Sequence, residues 1–189
     1  MMVVAVVGMC GTGKSVATEE FTAIGWSDVY FGGVTLEGVR EKGLPITPDN
    51  EKMVREALRA EYGMAAYAIK LLPRILELLK KGNVIIDGLY SWSEYKYLKE
   101  YLRDQLQVLC IISDRALRYS RLVSRPVRPL SMEEAQKRDY AEIENLEKGG
   151  PIAIADKYIM NNGTKEELQQ KVREYIRELA GMEEGPAGR

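Results

Sequence analysis

The stretch Val3-Val4-Ala5-Val6-Val7-Gly8-Met9-Cys10-Gly11-Thr12-Gly13-Lys14-Ser15 decides the fold. Five apolar residues, four of them β-branched, run without polar alternation. That is the habit of a strand buried on both faces, as in a parallel sheet covered by helices. The strand runs into Gly8-x-x-x-x-Gly13-Lys14-Ser15, which matches G-x-x-x-x-G-K-[ST] at every fixed position. Glycines admit positive φ, so the backbone can turn its amides inward around phosphate oxygens. The N-terminus of the following helix adds its positive dipole end. On that chemistry Gly8, Met9, Cys10, Gly11, Thr12, Gly13, Lys14, Ser15 and Val16 form the candidate nucleotide-binding loop. Lys14 is placed to reach the β- and γ-phosphates, and the Ser15 hydroxyl to ligate Mg²⁺. A random chain of this length shows the pattern roughly once in 150. Its position between a buried strand and a helix makes coincidence rarer still. Cys10 reads as a small filler of the loop, with a redox-sensitive thiol as the alternative.

The rest of the composition narrows the setting. The chain has 189 residues, with 27 basic and 28 acidic side chains, two cysteines and no histidine. At roughly 100–200 residues per domain this suggests one domain. We expect it over residues 1–180, with a lid near 115–150 and a flexible tail over 181–189. Near-zero net charge provides no global drive toward nucleic acid or an anionic membrane. The absence of histidine removes imidazole acid–base chemistry and most zinc site designs. Cys10 and Cys110 are too few and too far apart for a disulfide framework, so a reducing compartment is expected. No stretch approaches the ~20 apolar residues of a membrane span, and a cytoplasmic location follows by default. Nothing in the sequence fixes an oligomeric state.

Strands and helices alternate along the chain. After the loop a helix is predicted from about Lys14 to Ile24, a short strand at Val29–Phe31 and a helix from about Thr35 to Glu41. Thr47-Pro48 caps and opens a long helix that Gly63 breaks, and a second helix containing Pro73 runs to Lys81. A strand at Val84–Ile86 ends in Asp87-Gly88. Ser91-x-x-Glu94 is a capping box for a helix to about Arg103, and a strand follows over Gln107–Ser113. Asp114 opens a basic helix to Ser124. Ser131-x-x-Glu134 opens a polar helix predicted to reach Lys148. A strand at Tyr158–Asn161 and a helix after Thr164 close the chain. The order implies a three-layer α/β/α fold on a five-stranded, mainly parallel sheet: the P-loop NTP hydrolase fold with a helical lid.

Four more features carry candidate chemistry. Asn83-Val84-Ile85-Ile86-Asp87-Gly88 has the form of a Walker B strand, whose terminal carboxylate sits beside the loop. Asp87 is therefore a candidate metal ligand with Ser15, and a candidate catalytic base. Arg118, Arg121 and Arg125 fall at i, i+3 and i+7 on one helical stripe, with Arg128 in the proline-stiffened loop beyond and Arg138 on the next helix. Guanidinium groups in that layout suit clamping of phosphate oxygens. The competing reading is a solvated face of salt bridges. Tyr90 and Trp92 follow the Asp87 strand end and could stack on a base, although Trp92 and Tyr95 would equally pack their own helix. Arg55 and Arg59, at i and i+4, could meet an acceptor phosphate.

With those residues in view, the chain resembles the nucleoside-monophosphate kinase and dephospho-CoA kinase superfamily. It is closer still to an archaeal group of P-loop proteins related to dephospho-CoA kinase and adenylate kinase. Lys42-Gly43-Leu44-Pro45-Ile46-Thr47-Pro48-Asp49-Asn50 follows that group's R-G-x-x-x-T-P-x-N, and Leu58-Arg59-Ala60-Glu61-Tyr62-Gly63 its L-R-x-E-Y-G. Ala155-Asp156-Lys157-Tyr158-Ile159-Met160-Asn161-Asn162-Gly163 resembles its closing segment. The resemblance covers about Val3 to Leu179. It implies a kinase that moves the γ-phosphate of ATP, with Mg²⁺, to a small nucleotide-like acceptor. Lys14, Asp87, Arg118, Arg121, Arg125 and Arg128 are the expected catalytic set. The chain departs from the pattern after its second strand. Where dephospho-CoA kinases carry an Asp that looks like their base, Gly32-Gly33 stands, with Glu37 and Arg40 a turn further on. The lid Asp is also replaced, by Pro126-Val127-Arg128-Pro129. A dephospho-CoA kinase-like enzyme and a nucleotide-binding regulatory module without acceptor chemistry are therefore the alternatives.

Overall fold

A computed structural model describes residues 1–183. Five strands, β1 (Val3–Val7), β2 (Ser27–Tyr30), β3 (Val84–Asp87), β4 (Leu106–Ile112) and β5 (Lys157–Met160), form one sheet in the order β2-β3-β1-β4-β5. Every pairing is parallel. The helices are α1 (Lys14–Ala23), α2 (Gly32–Glu41), α3 (Pro48–Tyr62), α4 (Ala66–Leu79), α5 (Trp92–Leu102), α6 (Arg115–Ser124), α7 (Met132–Glu144), α8 (Gly149–Ala153) and α9 (Lys165–Glu183).

The period-2 geometry of a strand explains the unbroken apolar run at its start. Val3, Ala5 and Val7 face one core with Ile86, Val108 and Cys110, packed under α4 and α5. Val4 and Val6 face the other with Ile85, Leu109 and Ile111, packed under Phe21 of α1 and Leu168, Val172 and Tyr175 of α9. Each central strand thus feeds two cores and has no face left for a polar residue. A third, smaller cluster joins Tyr119 and Leu122 of α6 to Ala135 of α7, and Cys10 packs against it.

The caps fall where the sequence places them. The Thr47 hydroxyl accepts from Asn50 N at 3.3 Å, with Pro48 at the first helical position. Ser91 and Glu94 close one reciprocal capping box, and Ser131 and Glu134 another. Gly63, at φ 72°, ends α3. Three boundaries differ from the sequence reading. The helix predicted from about Thr35 starts at Gly32, because Tyr30 folds its ring back over that residue and only a glycine leaves space. The helix predicted to end at Lys81 ends at Leu79. The helix predicted to reach Lys148 stops at Glu144, and Glu147 takes a left-handed φ of 54°. That turn carries Lys148 inward, with its amide donating to Glu142 O at 3.2 Å, before α8 begins. Gly181 lies within α9, and residues 184–189 of the expected tail lie outside the described residues. Among the described residues, no helix is long and apolar enough to cross a membrane.

Candidate active site

The P-loop leaves the carboxyl end of β1, a central strand, and three glycines set its shape. Gly8, Gly11 and Gly13 have φ of 140°, 83° and 94°. A side chain at Gly13 would meet Asn161 Nδ2 at 2.7 Å, so glycine is required there twice over. The loop is braced from within and without. The Thr12 hydroxyl donates to Met9 O at 3.0 Å, and Asn161, at the end of β5, donates Nδ2 to Thr12 O at 2.8 Å. Arg118 donates Nη1 to Cys10 O at 2.9 Å. The Lys14 ammonium curls into the loop and donates to Met9 O at 3.0 Å. Burial lowers its pKa to about 8, helped by the neighbouring charge of Lys148 and opposed by Glu142, Cys10 and Asp87.

Asp87 ends β3, the strand beside β1, and pairs in register with Val6. Its carboxyl is half-buried, and burial raises its pKa against the pull of Lys14. The P-loop and Asp87 are neighbours because two adjacent parallel strands end at the same level. Beyond Asp87 stands an aromatic wall. Tyr90 folds its hydroxyl back over Gly88, which has a φ of 102°, and Tyr67 meets Tyr90 edge to face at 6.3 Å. Tyr67 shares a 2.6 Å hydrogen bond with Thr35, and the Arg59 guanidinium lies 5.9 Å from the Tyr67 ring centre. Arg59 Nε is buried without a hydrogen-bond partner. Unpaired buried polar groups are rare in folded proteins, and the Tyr175 hydroxyl in the second core is another.

The arginines separate into two groups. Arg118 is only 6% exposed and is held by Asp139 through a two-pronged pair, Nη1–Oδ1 at 3.0 Å and Nη2–Oδ2 at 2.6 Å. Arg121 donates to Asn161 O at 3.0 Å, to Gly163 O at 3.1 Å and to the Ser113 hydroxyl at 3.2 Å. Neither guanidinium is free: one ties α6 to α7 and the P-loop, the other ties α6 to the end of β5. Their helical stripe faces protein. Arg125 and Arg128 sit beyond α6. Arg125 Nε donates to Arg128 O at 2.6 Å, and the exposed Arg128 reaches Glu51 of α3 at 3.1 Å. Glu51 also pairs with Arg55 at 3.5 Å.

Other expected positions lie elsewhere. Trp92 stacks on Tyr95 at 5.2 Å and packs against Gly150, away from the strand ends. It lines a shallow apolar cavity of about 380 Å³ with Ile143 and Ile154. Glu37 and Arg40 line a different, polar cleft of about 570 Å³ on the outer side of β2, with Gly33, Asp28 and Arg74. Carboxylates are therefore present near the departure at Gly33, but from other positions.

Lys148 and Glu142 escape the sequence reading. Lys148 is 3% exposed and donates to Glu142 Oε2 at 2.7 Å; Glu142 also takes Arg138 Nε at 3.2 Å. The sequence holds only a weak signal for them, since Glu142 lies in a polar helix that looks solvated and Lys148 in the charged segment that follows it. A second buried charge, Glu94, accepts from Tyr90 N at 2.8 Å and Ser91 N at 3.0 Å, and its burial pushes its pKa up to about 7.

Sheet order, glycine loop and strand-end carboxylate define a P-loop kinase-like fold. The profile of the AAA domain family matches residues 4–147. The UPF0200 protein of Thermococcus gammatolerans is 32% identical over 98% of this chain and 100% of its own length. The UPF0200 protein of Thermococcus onnurineus is 32% identical over 94% of this chain and 98% of its own. The chain belongs to this UPF0200 family of AAA-domain proteins. Among solved structures, a gluconokinase from Sinorhizobium meliloti is similar with a TM-score of 0.62, covering 99% of this chain and 98% of its own at 16% identity. A dephospho-CoA kinase from Campylobacter jejuni has a TM-score of 0.55, covering 93% and 96% at 16% identity. At such identity the likeness is one of fold.

Proposed function

We propose that this protein is an ATP-dependent kinase that phosphorylates a small nucleotide-like acceptor. One observation carries the reading: Lys14 of a fully formed P-loop and Asp87 of the adjacent strand end share one partly buried site, faced by an aromatic wall that holds a buried arginine nitrogen without a partner. A switch that only binds nucleotide has no use for that second wall.

In this reading the amides of residues 8–16 cradle the donor phosphates, and Lys14 exchanges Met9 O for a phosphate oxygen. Ser15 and Asp87 are the two protein oxygens that would hold Mg²⁺. Two hard ligands suit an ion that keeps water and phosphate oxygens for its other positions. Among the described residues there is no cluster of three or more acidic or thiol ligands, as a site made wholly of protein would need. The ion supplies charge neutralisation to the phosphates. Asp87 also accepts the acceptor's proton. Arg59 and Tyr90 receive the acceptor, with the buried Tyr67 ring packed behind them. Arg125 and Arg128 close from the loop after α6 and exclude water, while Arg118 and Arg121 hold the P-loop and strand end in position.

The test is ADP release from ATP·Mg²⁺ with nucleoside monophosphates, deoxynucleotides and dephospho-CoA offered in turn. We expect turnover that depends on one acceptor class and falls at least a hundredfold in Asp87→Asn. Tight ATP binding with no acceptor-dependent turnover would sink the kinase reading and favour a regulatory module.

A further inference from the structure

Lys148 has no place in the roles assigned above, yet its setting is unusual for a lysine. Its ammonium is enclosed, bonded to Glu142, and lies 5.6 Å from the centre of the Tyr90 ring. Burying an ammonium is unfavourable unless it is paired, and here the pairing is incomplete. The single carboxylate that holds Lys148 is shared with Arg138. Two cations thus lean on one anion. Geometry brackets it between the two halves of the nucleotide site: the Tyr90 ring beneath the ammonium folds its hydroxyl over Gly88, next to Asp87, and α7, which carries Glu142, is tied through Asp139 and Arg118 to Cys10 O of the P-loop. An enclosed ammonium with only a shared carboxylate makes sense there if an anion completes its pairing.

The chain is built to keep Lys148 there. α7 stops one turn early, Glu147 adopts its left-handed φ of 54°, and its carboxylate takes the Ser93 hydroxyl at 3.1 Å. An ordinary solvated lysine needs none of this. The position is also specific. Lys148 lies over Tyr90, three residues beyond Asp87, at the strand end that carries the candidate metal ligand.

We propose that Lys148 is a second phosphate-contacting lysine, which trades part of its bond to Glu142 for an oxygen of the terminal phosphate of a bound nucleoside triphosphate, opposite Lys14. Glu142 is its positioning residue: it holds the ammonium at the correct depth while the site holds no phosphate. This inference rests on the P-loop being the donor site, and it deepens that reading by naming the group that tells a triphosphate from a diphosphate.

The experiment compares equilibrium binding of ATP and ADP, each with Mg²⁺, by calorimetry, and needs no acceptor. In Lys148→Met, ADP affinity should stay within about threefold of wild type, while ATP affinity falls about ten- to a hundredfold, the range of a charge-assisted contact to phosphate. Lys148→Arg, which keeps the charge and can still pair with Glu142, should recover most of the preference. A purely structural lysine would weaken both nucleotides together or neither, and an unchanged ATP-to-ADP ratio in Lys148→Met overturns the proposal. If Lys148→Met fails to fold because Glu142 is left buried and unpaired, the double variant Lys148→Met/Glu142→Gln removes both charges and decides the question by the same ratio. Wild-type protein that binds neither nucleotide would overturn the donor-site reading itself, a result distinct from a normal wild type with an unchanged variant.

Discussion

The P-loop and the arch formed by α6, α7 and the turn into α8 are built by opposite means. The loop's shape is local: three glycines at positive φ, a threonine hydroxyl bonded three residues back and a helix that starts at once. The arch is assembled from a distance. Arg118 meets Asp139 across 21 positions, Arg121 meets Asn161 across 40, and the Lys148–Glu142 pair forms only because a helix stops early. Much of the charge in the arch is thus paired with other protein groups. An arginine stripe on a helix says where cations are but not whom they face.

That contrast can be broken most directly at Asp139. Asp139→Ala leaves the Arg118 guanidinium buried with only Cys10 O and should cost about 3–5 kcal/mol. For a protein of this size that is a melting temperature lower by about 10 °C. The paired change Arg118→Met/Asp139→Leu should recover most of the loss, since it removes both buried charges. If instead Asp139→Ala melts like wild type, Arg118 is not a strut, and the clamp expected from its helical stripe returns.

Glu94 tests the seam between the two regions. Its folded pKa of about 7 stands above the usual 4.5, so the native state binds the extra proton. The sign follows from linkage: stability from this group is full below about pH 4.5 and is lost as pH rises through 7. Glu94→Gln keeps an oxygen for the Tyr90 and Ser91 amides and removes the charge. It should stabilise the protein at pH 8 by up to about 3 kcal/mol, with the gain fading toward pH 4.5. Denaturant unfolding at both pH values measures it. A variant less stable than wild type at pH 8 would show that the negative charge is needed behind Tyr90.

The smallest effect is expected at Arg128. It is 66% exposed in its pair with Glu51, and such pairs contribute less than about 1 kcal/mol. Arg128→Ala should melt within a few degrees of wild type while slowing acceptor-dependent turnover, the reverse of the Asp139 result.

Much of this was legible in the residues. The unbroken run Val3–Val7 announced a strand covered on both sides, and all five strands fall within two residues of their predicted places. Capping boxes at Ser91, Ser131 and Thr164 marked helix starts because a hydroxyl and a carboxylate three residues apart satisfy the same free amides. What escaped were partners. Nothing around Glu142 or Lys148 distinguishes them from the neighbouring solvated charges. Trp92 offered two partners, and the helix won because Tyr95 lies one turn away.

By itself, then, the sequence determined the P-loop, the parallel sheet and the position of Asp87, because each depends on residues adjacent in the chain or on the period of a strand. Only the tertiary structure decided which cations are tied into the fold. The physical reason is that a charge is satisfied by whatever lies within a few ångströms of it, and for Arg118, Arg121 and Arg128 that neighbour lies 21 to 77 residues away.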